Sequence, residues 1–342
     1  MMKCIRPKYF QKFKCDGKNC GSRCCKGWRV VVDESTYKKY STQKEILTHL
    51  EKFDDKNFLV KMKNNFECPF LDDDYLCKIQ KNYGEDFLTA ICYSYPRVNY
   101  KLGEILEQSL TLTCPVAAKL ILYPNEKIEF ETIEIDEPRG IFDWSRKLKI
   151  SVEELIELQM TAIKILQDRN FSFDERLFNL CRLFGGDCKF EKTFDIQKYS
   201  TIMIDIFSEM YNANMDEQKK LKLQNVYVMY HKIILSRLMK NYSHIFENYM
   251  VNEFFMRCYP IAFDNDFWTN CKIFVTAYKA MEFATILTAI SKNGFVTVEE
   301  FLMMIDAVNE KLDHNRKGMT AIKKFSETAD DLNKFSKVMF QK

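Results

Sequence analysis

The chain has 342 residues, 46% hydrophobic and 14% aromatic, and carries a formal net charge of +3. That length and apolar content suit about two folded domains and exclude a disordered chain. The small charge argues against a dedicated nucleic-acid binder, whose domain is usually plainly basic. The opening MMKCIRPKYFQKFK has no apolar signal core, and the most apolar long stretch, 273–290, is interrupted by Lys279 and Glu282. The expectation is a soluble, cytoplasmic protein with no membrane and no nucleic acid among its partners.

In chain order, residues 29–33 (RVVVD) are β-branched and read as a short strand. The segment 43–65 carries Ile46, Leu47, Leu50, Phe53, Phe58 and Met62 at roughly helical spacing and is expected to be a helix. Residues 106–113 (LEQSLTLT) alternate as a strand does, and Cys114-Pro115 before VAAKLIL reads as a helix entry. A junction follows at 124–141, with an alternating strand at 127–135 and a Pro138-Arg139-Gly140 boundary. From Ser151 the pattern is helical, opening on a Ser151/Glu154 capping box, with a second such signal at Thr297/Glu300. Further helices are expected at 173–184, 195–213, 217–241, 245–257, 267–292, 298–312 and 319–339. The fold class is therefore α+β, predominantly helical. A small cysteine-rich module of mixed structure (1–123) and a linker with a short strand (124–141) precede an irregular helical bundle (142–342).

Thirteen cysteines need an explanation, and nine of them fall within the first 114 residues. A reducing cytosol disfavours disulfides, which leaves metal ligation, catalysis or burial. Eight form a pattern: Cys15, Cys20, Cys24, Cys25, Cys68, Cys77, Cys92 and Cys114. Thiolates are soft ligands suited to zinc and iron–sulfur clusters. His49 is the one histidine in this module, so a metal there would be held almost wholly by sulfur. Adjacent Cys24 and Cys25 point in different directions in most backbone conformations, which suits different irons of one cluster better than a single zinc ion. The spacing matches neither a zinc finger nor a ferredoxin run, so both metals stay open. Cys181, Cys188, Cys258 and Cys271 sit in apolar helical context and are expected in the core, and Cys4 is set aside. There is no G-x-G-x-x-G, Walker or H-E-x-x-H motif, no C-x3-C-x2-C triplet, and no local signature of a Cys–His nucleophilic pair.

Several short motifs then combine. They are Phe13-x-Cys15, Cys24-Cys25-Lys26-Gly27-Trp28, Cys68-Pro69-Phe70-Leu71, Leu76-Cys77-x-Ile79, Cys92 through Tyr95-Pro96-Arg97, and Ser109 to Cys114-Pro115. With Phe246-Glu247-Asn248-Tyr249-Met250-Val251-Asn252 and Tyr259-Pro260, they resemble the flagellin lysine-N-methylase family. Val116 departs from the acidic residue many members carry after Cys-Pro, and the front half alone is also similar to a broader group of zinc- or iron-chelating cysteine-cluster proteins. The resemblance implies an S-adenosylmethionine-dependent protein-lysine N-methyltransferase acting on flagellin, with an iron–sulfur cluster of the 4Fe-4S kind, or zinc as the alternative. A non-catalytic cysteine-cluster protein that binds zinc or iron for redox sensing or metal handling is the competing function. Arg97 is a candidate for the cofactor carboxylate or for tying loop carbonyls, and Trp28 for a wall of the site or for the core. Asn248 and Asn252, i and i+4 on one helix, are candidates for cofactor binding or for capping an adjoining helix. No catalytic residue is singled out.

Overall fold

The computed structural model describes the whole chain except Trp28, 187–193, Asn265, 314–315, 329–330 and Lys342. Trp28 and Cys188, both singled out above, lie outside the described residues. The chain divides into two compact units. The cysteine-rich unit comprises Met1–Leu120 and Glu129–Trp144; the helical unit comprises Ile121–Ile128 and Ser145–Lys342.

The strands are β1 (Met2–Pro7), β2 (Val31–Val32), β3 (Leu50–Lys52), β4 (Phe58–Val60), β5 (Arg97–Leu102), β6 (Ile105–Leu110), β7 (Phe130–Ile135) and β8 (Ile141–Asp143). The helices of the front half are α1 (Glu34–Tyr40), α2 (Lys44–Leu47), α3 (Lys78–Tyr83), α4 (Ala90–Ser94) and α5 (Pro115–Leu122). Five strands form a mixed sheet in the order β7-β1-β6-β5-β8, and β2-β4-β3 form a small antiparallel one. In the large sheet β1 runs parallel to β6 and β5 antiparallel to β6, with Asn99 opposite Gln108. Strand β7 pairs along all of β1, from Met2 opposite Ile135 to Pro7 opposite Phe130. The segment expected as a linker is thus built into the sheet, because its alternating residues supply the partner that the exposed edge of β1 needs.

The helix expected over 43–65 is reduced to α2, followed by the β3–β4 hairpin. Asp54 reverses the chain: its Oδ1 accepts from the backbone amides of Lys56 and Asn57, both at 2.8 Å. This local turn outcompetes the helical spacing of the apolar residues, which pack as β3 and β4 instead.

The helical unit contains α6 (Val152–Leu166), α7 (Phe173–Gly185), α8 (Ile196–Tyr211), α9 (Glu217–Met256), α10 (Phe267–Ser291), α11 (Val298–Asp313), α12 (Arg316–Thr328) and α13 (Leu332–Met339). Ser151 and Glu154 form the reciprocal capping box read from the sequence. Glu300 and Thr297 do the same at α11. The helices expected at 217–241 and 245–257 run together as α9, with a break at Tyr242 (φ −133°, ψ 18°). The single helix expected at 319–339 is two, and Asp331 caps the second through Lys334 N at 2.8 Å. Among the described residues α10 is the one helix long and apolar enough to cross a membrane, yet 72% of its most apolar window is buried inside the protein, as in a core helix. The two charges that interrupt it are both buried: Lys279 Nζ meets Glu282 Oε1 at 3.0 Å and Asp174 Oδ1 at 2.5 Å.

Candidate metal and ligand site

The cysteine-rich unit encloses a cavity of about 530 Å³. Six of the eight predicted cysteines line it: Cys15, Cys24, Cys25, Cys68, Cys77 and Cys92. Local structure delivers each from a different direction. Cys24 and Cys25 sit on a 3-10 turn entered by Ser22 in the left-handed region (φ 51°). The Cys25 carbonyl accepts from Cys68 N at 2.8 Å, which fastens the second segment to the first. Leu71 bridges to Cys77 across a loop closed by Asp72, whose Oδ1 accepts from Asp74 N and Leu76 N. Cys77 starts α3, and Cys92 lies in the first turn of α4, its amide held by the Thr89 cap at 3.2 Å. Val30, Tyr40, Val60, Phe70, Ile79 and Leu88 provide the apolar wall.

Cys20 and Cys114 do not line this cavity. Cys20 Sγ donates to Gly17 O at 3.1 Å, and Cys114 is buried ahead of α5. Both nevertheless stay in its neighbourhood: burial pushes the Cys114 thiol up to about 11, and Cys20 and Cys24 push it the same way. Cys24 is the common neighbour, since its charge also acts on Cys15, Cys25, Cys68, Cys77 and Cys92.

The thiols are tuned unequally. The Cys25 thiol, 3.8 Å away, stabilises the Cys24 thiolate and lowers its pKa to about 7. Burial raises Cys68 to about 11 and Cys92 to about 12. Desolvated thiols packed together resist ionising one after another, whereas a cation among them reverses the balance by stabilising the thiolates. The donor set therefore fits a thiolate-ligated metal centre in its chemistry. Among the described residues no three His, Cys, Asp or Glu side chains stand as a ready ligand set, so a metal would draw the sulfurs in. His49 packs edge-on against Phe70, with ring centroids 5.4 Å apart.

The cavity is also lined by polar side chains: Arg6, Arg97, Asn99, Gln108 and Arg139. Arg97 is exposed and lies over the Phe13 ring at 5.2 Å. The role of tying loop carbonyls belongs instead to Arg139, which donates to Leu88 O at 2.8 Å and covers Tyr93 at 4.5 Å. Sequence reading passed over Gln108, although it is the polar break in the otherwise apolar face Leu106, Leu110, Leu112.

The 246–252 segment is buried within the helical unit. Asn248, fully buried, donates through Nδ2 to Pro124 O at 2.8 Å, and Asn252 is 1% exposed. Asn248 Oδ1 has no hydrogen-bond partner among the described residues, so its NH2 group alone is engaged by the Pro124 carbonyl. Glu247 anchors Arg169 and Arg176 (Oε1 to Arg169 Nη2 2.9 Å; Oε2 to Arg176 Nη1 2.7 Å). Cys181, Cys258 and Cys271 are core residues as expected, and Cys181 and Cys271 are in contact at 3.7 Å.

A thiol-lined cavity in the small mixed unit defines a cysteine-cluster protein. The family model described as "FliB lysine N-methylase C-terminal domain" matches residues 182–339, inside the helical unit. Lysine-N-methylases of Salmonella typhimurium and Salmonella choleraesuis are each 33% identical over 205 residues, covering 55% of this chain and 48% of theirs. The flagellar biosynthetic protein FliU of Salmonella muenchen is 34% identical over 128 residues, 34% of this chain and 75% of that one. No solved structure matches. The chain belongs to the FliB lysine N-methylase family and spans about half the length of the lysine-N-methylases it matches.

Proposed function

We propose that this chain is a protein-lysine N-methyltransferase that uses S-adenosylmethionine as methyl donor and flagellin as protein substrate, with an iron–sulfur cluster held by its cysteines. The observation that carries the reading is the cavity in which six cysteines from separate segments face the same space as Arg97. Kinship to proteins named lysine-N-methylase and to a flagellar biosynthetic protein supplies the reaction and the substrate class. Cys24, Cys25, Cys68, Cys77, Cys92 and Cys15 would hold the metal, and Cys20 and Cys114 would support them. The bound cluster would supply a soft cationic centre that keeps these thiolates charged and ties their segments together.

Methyl transfer needs no more than polar displacement. The lysine lone pair forms the N–C bond, the sulfonium S–C bond breaks, S-adenosylhomocysteine leaves and the amine proton goes to solvent. An exposed lysine, with pKa near 10.4, is mostly protonated at neutral pH, so a desolvated cavity beside a cation favours the reactive neutral amine. Tyr95 offers an aromatic face to a sulfonium there, whereas Tyr93 and Phe13 already carry the guanidinium groups of Arg139 and Arg97. Arg97, which lies over the Phe13 ring and whose charge acts on Cys15, would pair with the donor's carboxylate.

Intact-mass measurement of flagellin incubated with S-adenosylmethionine and anaerobically purified protein tests the reaction. Increments of one methyl group are expected, with broad visible absorbance from the protein. Unmodified flagellin with a metal-loaded protein would favour metal handling instead, and a colourless protein with stoichiometric zinc would remove the cluster. Formation of 5′-deoxyadenosine that tracks methylation and needs a reductant would overturn polar displacement.

A further inference from the structure

Helix α9 carries two apolar stripes where a surface helix ordinarily has one. Tyr227, His231, Ile234 and Leu238 recur at helical spacing and are buried, so they form the face turned to the core. The opposite face should be polar, yet it presents Val226, Met229 and Ile233, with Tyr230 beside them. Met229 is 66% exposed and Ile233 61%. One turn beyond Ile233, Arg237 donates to Gly294 O at 2.9 Å and lies over the Phe295 ring at 4.8 Å. Phe295 is itself 68% exposed. Apolar side chains scattered singly on a surface mean little, but these form a ridge along the first half of α9 that continues onto the loop before α11.

Charge decides what fits the ridge. Lys222 and Lys240 stand on the same outer face, five full turns apart, one at each end of the ridge. Lys232 flanks its middle, and all three are exposed. Lys219 and Lys220 are held by Asp216 and Asp205, whereas among the described residues these three have no acidic partner. No acidic residue occurs between Glu217 and Glu247. A second copy of this chain fits poorly, because antiparallel packing of two such ridges sets Lys222 of one against Lys240 of the other. A lipid surface also fits poorly. The ridge is narrow, and a flat boundary would press Asn225 and Ser236, exposed beside it, into the acyl region. A helix with its own apolar stripe bordered by carboxylates meets both demands: its side chains interdigitate with the ridge, and its acids reach the lysines. We propose that the outer face of α9 docks an acidic amphipathic helix of a partner protein.

Two synthetic helical peptides of about 18 residues, long enough to span five turns, are the probes. Both carry leucines at i, i+3, i+4 and i+7 spacing; glutamates border the leucines in one and lysines in the other. Fluorescence anisotropy with the full chain is expected to show the acidic peptide binding about tenfold or more tightly than the basic one. Met229→Asp and Ile233→Asp should each weaken the acidic peptide about tenfold, with thermal melts unchanged because both side chains are exposed. Lys222→Glu combined with Lys240→Glu should turn the preference toward the basic peptide. Equal binding of the two peptides, or an acidic peptide unaffected by Ile233→Asp, overturns the docking face. A dimer in sedimentation that Ile233→Asp dissociates would assign the ridge to a second copy, and binding to phosphatidylserine vesicles without binding of the acidic peptide would assign it to a membrane. Either result overturns the proposal.

Discussion

Glu247 tests whether the 246–252 segment is a structural anchor. Its side chain is 2% exposed and accepts from Arg169 Nε at 3.1 Å, Arg169 Nη2 at 2.9 Å and Arg176 Nη1 at 2.7 Å. The two arginines are unequal. The Arg169 side chain is 43% exposed and can turn to water, whereas that of Arg176 is 6% exposed and held in place by Phe171 O and Leu166 O. Glu247→Ala thus strands one buried cation, which costs about 3–5 kcal/mol. At about 2–4 °C per kcal/mol for a unit of this size, Tm should fall by roughly 6–20 °C. Arg169→Ala leaves Glu247 paired to Arg176 and should cost about 1 kcal/mol or less. Urea unfolding followed by far-ultraviolet circular dichroism, run as double-mutant cycles, separates the pairs. Coupling of Glu247 to Arg176 should exceed coupling to Arg169 by about 2 kcal/mol. Equal couplings, or a Glu247→Ala variant as stable as the parent, would refute the anchor.

Other perturbations probe other parts of the molecule. Burial raises the Glu282 pKa despite the Lys279 ammonium beside it, so its protonated form is favoured in the folded state. Its stabilising contribution is complete below the ordinary glutamate range and is lost as pH rises through the raised folded value. Stability relative to Glu282→Gln should therefore be greatest in acid and decline from about pH 4 upward; a flat difference would rule this out. Ala at Cys24, Cys68 or Cys92 should lower metal content on elemental analysis and reduce thermal stability together, whereas Ala at Cys181, Cys258 or Cys271 should leave metal content unchanged. Gly140 has φ of +72° and a Cβ there would meet Ser94 Cβ at 2.9 Å, while Gly21 (φ +67°) has open space. Gly140→Ala should cost about 1–3 kcal/mol more than Gly21→Ala in urea unfolding, because overpacking adds to the backbone strain.

The helical unit was largely legible because its signals are local. Ser151/Glu154 and Thr297/Glu300 announce helix starts within four residues, and the observed caps use those side chains. The large sheet was not, since β1 pairs with β6 residues 102 positions away and with β7 residues 123 to 133 positions away, and no local pattern in 2–7 foretells such partners. In 43–65 two local signals competed, and a side-chain turn at Asp54 prevailed over apolar spacing. The grouping of cysteines was visible from their density alone. Which of them face one space was not, because that depends on the Cys25–Cys68 and Leu71–Cys77 pairings.

Asn248 and Gln108 pose the same question, since each has its NH2 group engaged and its oxygen buried without a partner among the described residues. Each is a polar residue on a strongly apolar element, and such a residue either satisfies a neighbouring backbone or waits for a ligand. Asn248, well inside α9, puts its NH2 group on the Pro124 carbonyl, and its Oδ1 has no partner among the described residues. Gln108 lies mid-strand, where ladder pairing already uses the nearby backbone groups, so a side-chain amide finds only other side chains and the cavity. Asn99 takes the donor half of Gln108, and the acceptor half stays buried without a partner among the described residues.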